Sequence, residues 1–401
     1  MQMKRSLSLA AVIAVCTLIS TSMVQGMNGP PANDTGTWTV MIYAAADNNL
    51  ESYWEGASLA MLLDLPSTDA VNFVAYVDLF STLGTQIVEI DGGEWEAVET
   101  LEEKNFADDE TLQWALSDVS TRYPSEHLAM IAWDHGSAWN GFCGDDTSDD
   151  WMYLDELYAA IVAANVHIDI IGFDACAMAS VETIYSVATT GLVDLVVGSE
   201  ELVAGDGFPY DLMFAPLAED ASRTPLQVAS DMIDGWEAYY SEITWGWYAT
   251  LSAVDAGAIH NNVDEIAHWT ELMLDRLPSY RYEYRKALRD CEWVSCIAHY
   301  QFDMVDLGRQ LMSSPTIADD QEFVAATEDM MEAVSNSVVA MYNPDTKAAC
   351  AGVSMYWGYH NWEWRLYWMD YMNNVPFATE TAWGDFLYEY NRVTCGWFPT
   401  K

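Results

Sequence analysis

Positive charge is what this 401-residue sequence has least of: 15 Lys and Arg stand against 62 Asp and Glu, a net charge of −47. Nucleic acid is bound through its phosphates by a basic surface, which this composition cannot supply, and an anionic membrane surface is excluded on the same ground. Apart from one run near the N-terminus, no stretch is long and apolar enough to cross a bilayer. There is no internal repeat, no linker after residue 37 that would divide the chain, and no paired Cys or His spacing of a structural zinc site. The acidity suits high salt, divalent cations or a cationic substrate. For most of these carboxylates a solubilising surface is explanation enough.

Apolar and aromatic residues are abundant. The chain is 51% hydrophobic and holds 18 Trp, 22 Tyr and 12 Phe, which must be buried and so exclude a disordered chain. Lys4 and Arg5 precede an uncharged run from Leu7 to Ile19, then Ser20, Thr21 and Ser22: the layout of a secretory leader over residues 1–26. The protein is therefore expected to be exported, or held at a membrane surface if that segment is retained as an anchor. Six cysteines remain beyond the leader, an even number that invites three disulfides, with Cys291 and Cys296 spaced for a local one. A working thiol would leave at least one other cysteine unpaired.

Residues 27–37 read as a solvated linker, 38–392 as one domain and 393–401 as a tail. Within the domain, apolar strands are expected at 38–43, 71–79, 127–133, 168–173 and 192–198, with a hairpin over 86–98. Helices are expected at 111–121, 154–164 and 178–189. This alternation predicts a mostly parallel sheet covered on both faces, a three-layer α/β/α sandwich. A helix over 226–243 and a strand over 249–254 follow. A helical region is then expected from 262 to 342, broken near Pro278 and Pro315, before a late strand at 353–357 and a closing helix at 381–390.

In such a sheet, functional groups collect beyond the carboxyl ends of the strands. His135 and Cys176 each follow such an end, on consecutive strands joined by one helix, so a right-handed crossover brings them to the same rim. A thiol needs a base to become a nucleophile, and a leaving amine needs a proton donor. The N-terminus of the helix expected just after Cys176 would add favourable partial charge. Backbone N–H groups of Gly136 and Cys176 are candidate donors to a tetrahedral oxyanion. A buried cysteine and a satisfied histidine would look the same by position alone.

The residues around these two narrow the choice. Trp133-Asp-His-Gly-Ser-Ala-Trp139 and Gly172-Phe-Asp-Ala-Cys-Ala-Met178 resemble the two signatures of the clostripain family of cysteine peptidases, a caspase-fold group. The opening run Trp38 to Glu51, the stretches Gly198-Ser-Glu-Glu201 and Gly205-Asp-Gly-Phe-Pro-Tyr210, and Gly352 to Tyr356 fit the same family in order. The resemblance implies a caspase-like sandwich with additional C-terminal helices. It also implies a His135/Cys176 dyad that cleaves protein or peptide substrates after Arg or Lys through a thioester.

In that family the acid two residues before the nucleophile helps to floor the pocket for the basic side chain. Here that acid is Asp174, for which capping the following helix is the plain alternative; Asp206 is a second candidate. The chemistry asks for no cofactor. Calcium dependence occurs in the family, and Asp145, Asp146, Asp149 and Asp150 offer hard oxygen ligands in one loop. The loop lacks the helix–loop–helix calcium pattern, and a calcium site and a solvated acidic loop both stay open. Family members are often activated by internal cleavage after a basic residue, but no Lys or Arg lies between Arg122 and Arg223. The Trp-rich stretch 357–368 reads as core or lid packing, with a carbohydrate- or partner-binding face as the alternative. The competing function is a catalytically silent, secreted caspase-fold binding or surface protein.

Overall fold

Alternate residues of the first strand, β1 (Gly36–Ala46), serve opposite sides of the central sheet. Met41, Tyr43 and Ala45 join one buried cluster, while Val40, Ile42 and Ala44 join another. That two-residue period is what a strand covered on both faces requires. The protein is described here by a computed structural model over residues 36–395, without positions 83, 244, 245, 247, 296–299, 359 and 360. The expected leader, nearly all of the linker and most of the tail lie outside the described residues. Gly36 and Thr37, assigned to the linker, are already in β1.

Downstream come β2 (Val71–Leu79), β3 (Gln86–Asp91), β4 (Glu94–Thr100) and β5 (Ser125–Trp133). A short hairpin, β6 (Phe142–Asp145) and β7 (Asp150–Met152), precedes β8 (Ile168–Asp174), β9 (Val193–Gly198) and β10 (Leu251–Asp255). The last strands are β11 (Trp293–Ser295), β12 (Tyr300–Asp303), β13 (Val338–Tyr342) and β14 (Ser354–Tyr356). In space the nine-stranded sheet runs β13-β10-β9-β8-β5-β1-β2-β3-β4. Its five central strands, β9 to β2, are parallel, and each edge is closed by two antiparallel strands.

Helices α1 (Asp109–Arg122), α2 (Leu154–Ala164) and α3 (Val181–Ala188) cover the Met41/Tyr43 face through Leu116, Leu157 and Ile184. Helices α4 (Tyr210–Glu219) and α5 (Pro225–Tyr240) cover the other through Phe214 and Trp236. The C-terminal helices α6 (Val263–Asp290), α7 (Met304–Met312), α8 (Gln321–Ser337), α9 (Asn361–Asn374) and α10 (Trp383–Cys395) extend the first layer. This is the expected three-layer sandwich. Of the Trp-rich stretch, Trp357 and Trp364 are buried in its core, where Trp357 packs edge-on against Trp383 and Phe386 at 5.2 and 5.0 Å between centroids.

Three expectations are corrected. The region 262–342 is not helical throughout: α6 continues unbroken past Pro278, because its buried face (Trp269, Met273, Leu277, Tyr280, Tyr284) spans the proline. The chain then forms β11, β12 and the edge strand β13, whose Val-Val-Ala-Met-Tyr sequence alternates half-buried and exposed residues against β10. The local disulfide at Cys291 is absent: this buried thiol donates to the carbonyl oxygens of Glu292 and Asp303, and its expected partner Cys296 lies outside the described residues. Cys143 and Cys350 are likewise buried thiols.

Candidate active site

Parallel register fixes the site. Trp133, the last residue of β5, pairs with Asp174, the last of β8, so His135 and Cys176 each stand two residues beyond the same rung of adjacent strands. The two chains stay together past the sheet, with the Asp134 N–H donating to the Asp174 carbonyl at 3.4 Å. Gly136 then packs directly on Cys176. A Cβ at Gly136 would collide with the Cys176 carbonyl oxygen and sit 2.9 Å from its amide nitrogen. A residue without a side chain is needed there, and the backbones of the two candidate oxyanion donors meet as a result.

His135 is half-buried, and burial lowers its pKa below the ordinary imidazole value, with Asp146 opposing the shift. Its Nε2 lies 3.0 Å from Asn49 Oδ1. With that oxygen as acceptor, Nε2 carries the proton and Nδ1 keeps the lone pair. Asn49 was not foreseen as part of the site. Asp47-Asn48-Asn49 reads as a helix cap, but the short helix that follows has Leu50 at its N-cap with no side-chain bond, and Asn48 instead closes a local turn, its Oδ1 accepting from Leu50 N–H at 2.8 Å. The available signal was topological: β1 neighbours β5, so the residues just past β1 reach the same rim. Asp134 faces away from the imidazole into the interior, where it accepts from Asn48 and from the Gly144 N–H; burial pushes its carboxyl up to about 8.

Cys176 is also half-buried. Its sulfur accepts from the Val203 N–H at 3.3 Å, and Ala177 N–H donates to the Glu201 carbonyl at 2.9 Å, so the stretch after β9 lines the nucleophile side. Lys347 braces that stretch through an ion pair with Glu201 at 2.6 Å. The expected helix terminus at Cys176 is corrected. Ala177 takes a positive φ of 61°, and α3 starts only at Val181, where the Ser180 hydroxyl caps it. The helix dipole is therefore displaced from the thiol by a turn or more.

Asp174 is not that cap either. Its carboxylate turns to the other side, 4% exposed, accepting from the Phe208 N–H at 3.0 Å and from the Tyr210 hydroxyl at 3.0 Å. Gly207, at φ 66°, closes over it: a Cβ there would lie 2.8 Å from Asp174 Oδ2. Burial raises the Asp174 pKa to about 7 against those two donors. Asp206, one residue before Gly207, is half-buried and accepts from Tyr239 at 3.0 Å. Tyr248 stands within electrostatic reach of Cys176, Glu201 and Asp206, a second neighbour that sequence patterning did not flag.

The four loop aspartates do not gather around one point. Asp150 accepts from the Asn105 side chain at 2.6 Å; Asp146 and Asp149 are exposed. Only Asp145 is in a group close enough to share a cation, and its companions are Asp47, Asp78 and Glu103. These come from separate chain segments, so loop composition alone could not assemble them.

The chain matches the profile of the clostripain family, peptidase C11, over residues 42–390. Clostripain of Hathewaya histolytica is 24% identical over 217 residues, a match covering 44% of this chain and 41% of the relative; the chain thus spans well under half the length of that curated protein. A secreted C11 cysteine protease from Bacteroides thetaiotaomicron, solved with an irreversible peptide inhibitor, superposes with a TM-score of 0.62 at 20% identity, covering 87% of this chain and 99% of that one. An inactive zymogen C11 protease from Parabacteroides distasonis gives 0.66 at 20% identity, covering 88% and 99%. At such identities the likeness to these structures establishes a common caspase-like fold.

Proposed function

The chain belongs to the clostripain family of cysteine proteases, and on that premise we propose that it is an exported endopeptidase cutting after Arg or Lys, with Cys176 as nucleophile and His135 as general base and acid. The observation that carries this reading is the shared rung of β5 and β8, with Gly136 packed on Cys176. The lowered pKa of His135 keeps the ring neutral near pH 7 and able to take the thiol proton. The sulfur then attacks the scissile carbonyl. Backbone N–H groups of Gly136 and Cys176 are the assigned donors to the oxyanion. The imidazolium returns its proton to the leaving amine, and water, deprotonated by His135, hydrolyses the thioester. Asn49 holds the ring so that Nδ1 is the basic nitrogen. None of these steps asks for a cofactor.

Asp174 and Asp206 suit a basic side chain at the cleaved position, because a guanidinium or ammonium leaving water needs a partner charge. Export rests on residues 1–26. Since no basic residue lies between Arg122 and Arg223, a cut after Lys or Arg between His135 and Cys176 is excluded, and the enzyme either works as one chain or is processed elsewhere.

Cys176→Ala and His135→Ala should each lower turnover of an Arg-linked reporter peptide by at least about 10³-fold with circular dichroism unchanged. Unchanged turnover in either variant rejects the dyad. If an Arg-directed electrophile leaves Cys176 unmodified in the folded chain, the silent binding protein replaces the enzyme.

A further inference from the structure

Outside the dyad, four carboxylates come together where their sequence positions give no hint of it. Asp47 follows the last residue of β1, Asp78 lies near the end of β2, Glu103 is in the connection to α1, and Asp145 ends β6. One oxygen from each lies within 4.8 Å of all the others. Asp47, Asp78 and Asp145 are 1%, 0% and 2% exposed.

Part of this group is held by ordinary bonds. Asp145 accepts from the N–H groups of Phe106 (3.0 Å) and Ser148 (2.7 Å), Glu103 Oε2 from the Gly84 N–H (2.9 Å), and Asp47 from Thr147. The oxygens left over are Asp47 Oδ1, Glu103 Oε1 and both oxygens of Asp78, none of which has an N–H or hydroxyl donor among the described residues, the carboxyl groups of Asp78 and Glu103 being within hydrogen-bond reach of each other. Buried polar atoms are nearly always paired, so several orphaned oxygens in one place mark a missing partner. No Lys or Arg among the described residues pairs with any of the four. Four like charges at this spacing in a poorly solvated interior repel strongly unless something neutralises them.

An all-oxygen donor set excludes the softer metals. Calcium takes oxygens at about 2.3–2.6 Å in irregular geometries, so opposite ligands fall about 5 Å apart, matching the observed spread; magnesium prefers to keep its own waters. We propose that Asp47, Asp78, Glu103 and Asp145 bind one calcium ion, which ties the loop after β1 to the segment that follows His135. That loop is the one whose Asn48 holds Asp134 and whose Asn49 holds His135, and the Asp146 N–H already donates to the Asp47 carbonyl at 2.8 Å. The ion thus fixes the imbalance of charge and the position of the imidazole's partner together. The competing arrangement is a proton shared between Asp78 and Glu103.

Binding is measured without turnover, so its outcome is separate from the fate of the protease assignment. The full chain carrying Cys176→Ala, stripped with a chelator, is titrated with calcium chloride by calorimetry and melted with and without the ion. One equivalent should bind, and the melting temperature should rise by roughly 5 °C. Asp78→Asn should weaken binding by at least about 10–100-fold and remove the thermal shift. Asp150→Asn, in the acidic loop but outside the group, should change neither. If Asp78→Asn does not fold, Glu103→Gln takes its place. Absence of binding to the parent chain overturns the site, as does equal binding by the Asp78 or Glu103 variant. An Asp78→Asn protein that melts higher than its parent in chelator, with no calcium effect on either, replaces the ion with the shared proton.

Discussion

Two buried acids flank the candidate dyad and were built on different principles. On the cysteine side, Asp174 is alone, and both of its oxygens have donors in Phe208 and Tyr210. On the histidine side, Asp78 shares its space with three other acids and has no N–H or hydroxyl donor for either oxygen among the described residues. Burial raises both pKa values, Asp174 to about 7 and Asp78 to about 9, but the neighbouring Glu103, Asp145 and Asp47 add to the second and nothing comparable adds to the first. A lone, donor-supported carboxyl tolerates an empty site because it can sit protonated in its pocket. A crowded group cannot stay charged on its own, and needs a resident cation or a captured proton. The first kind suits reversible encounter with a basic side chain, the second a permanent structural charge.

The largest test of this contrast is Asp174→Asn, which keeps an acceptor for Phe208 and Tyr210 and removes only the charge. It should cost about 100-fold in kcat/KM on Arg and Lys reporters, mostly through KM, and little on reporters with an uncharged residue before the cut. Asp206→Asn should cost about 5-fold, because its half-exposed carboxylate is screened by water. Equal losses on basic and uncharged reporters would make Asp174 a brace for residues 207–210, and the contrast with Asp78 would disappear.

How much of this was legible depended on distance along the chain. The alternation around β5, α2, β8 and β9 is local, and strand ends plus a crossover rule were enough to bring His135 and Cys176 to one rim. Gly136 and Asp174 followed from their neighbours in those motifs. What could not be read was anything set by contact between distant segments. Asn49 acts on His135 across 86 positions, and the carboxylate group draws on residues from 47 to 145. The acidic loop at 145–150 misled for the same reason: sequence proximity gathers charges in a list, while only folding decides where each carboxylate points. β13 was hidden in the same way, since Val338–Tyr342 follows α8 directly and only its pairing with β10 makes it a strand.

On the histidine side the middle-sized effect belongs to Asn49→Ala. Removing the acceptor from Nε2 frees the ring to rotate and to change tautomer, so kcat should fall about 10-fold with KM nearly unchanged. Asn49→Asp, which retains the acceptor and adds a charge, should restore much of kcat and raise the pKa of His135. An Asn49→Ala enzyme with unaltered kcat would remove the link between the β1 loop and the imidazole, leaving any ion behind it without influence on the chemistry.

The smallest effect separates the two sides by pH. Asp174, with its pKa raised to about 7, is neutral below that value and charged above it, so affinity for a basic reporter should improve as pH rises through about 7. Folding runs in the opposite direction. Stability associated with the neutral carboxyl is fully present below the ordinary aspartate range and is lost as pH climbs through about 7. His135 is shifted the other way, so the acid limb of kcat should lie below the ordinary imidazole value and leave kcat level where KM is still falling. Measured from about pH 5 to 9, wild type should therefore show a KM that drops several-fold across neutrality beside a kcat already on its plateau. Asp174→Asn should flatten the KM profile and leave the kcat limb in place. If both profiles move together in that variant, a single coupled group controls binding and chemistry, and the cysteine-side acid is no longer an independent receptor for charge.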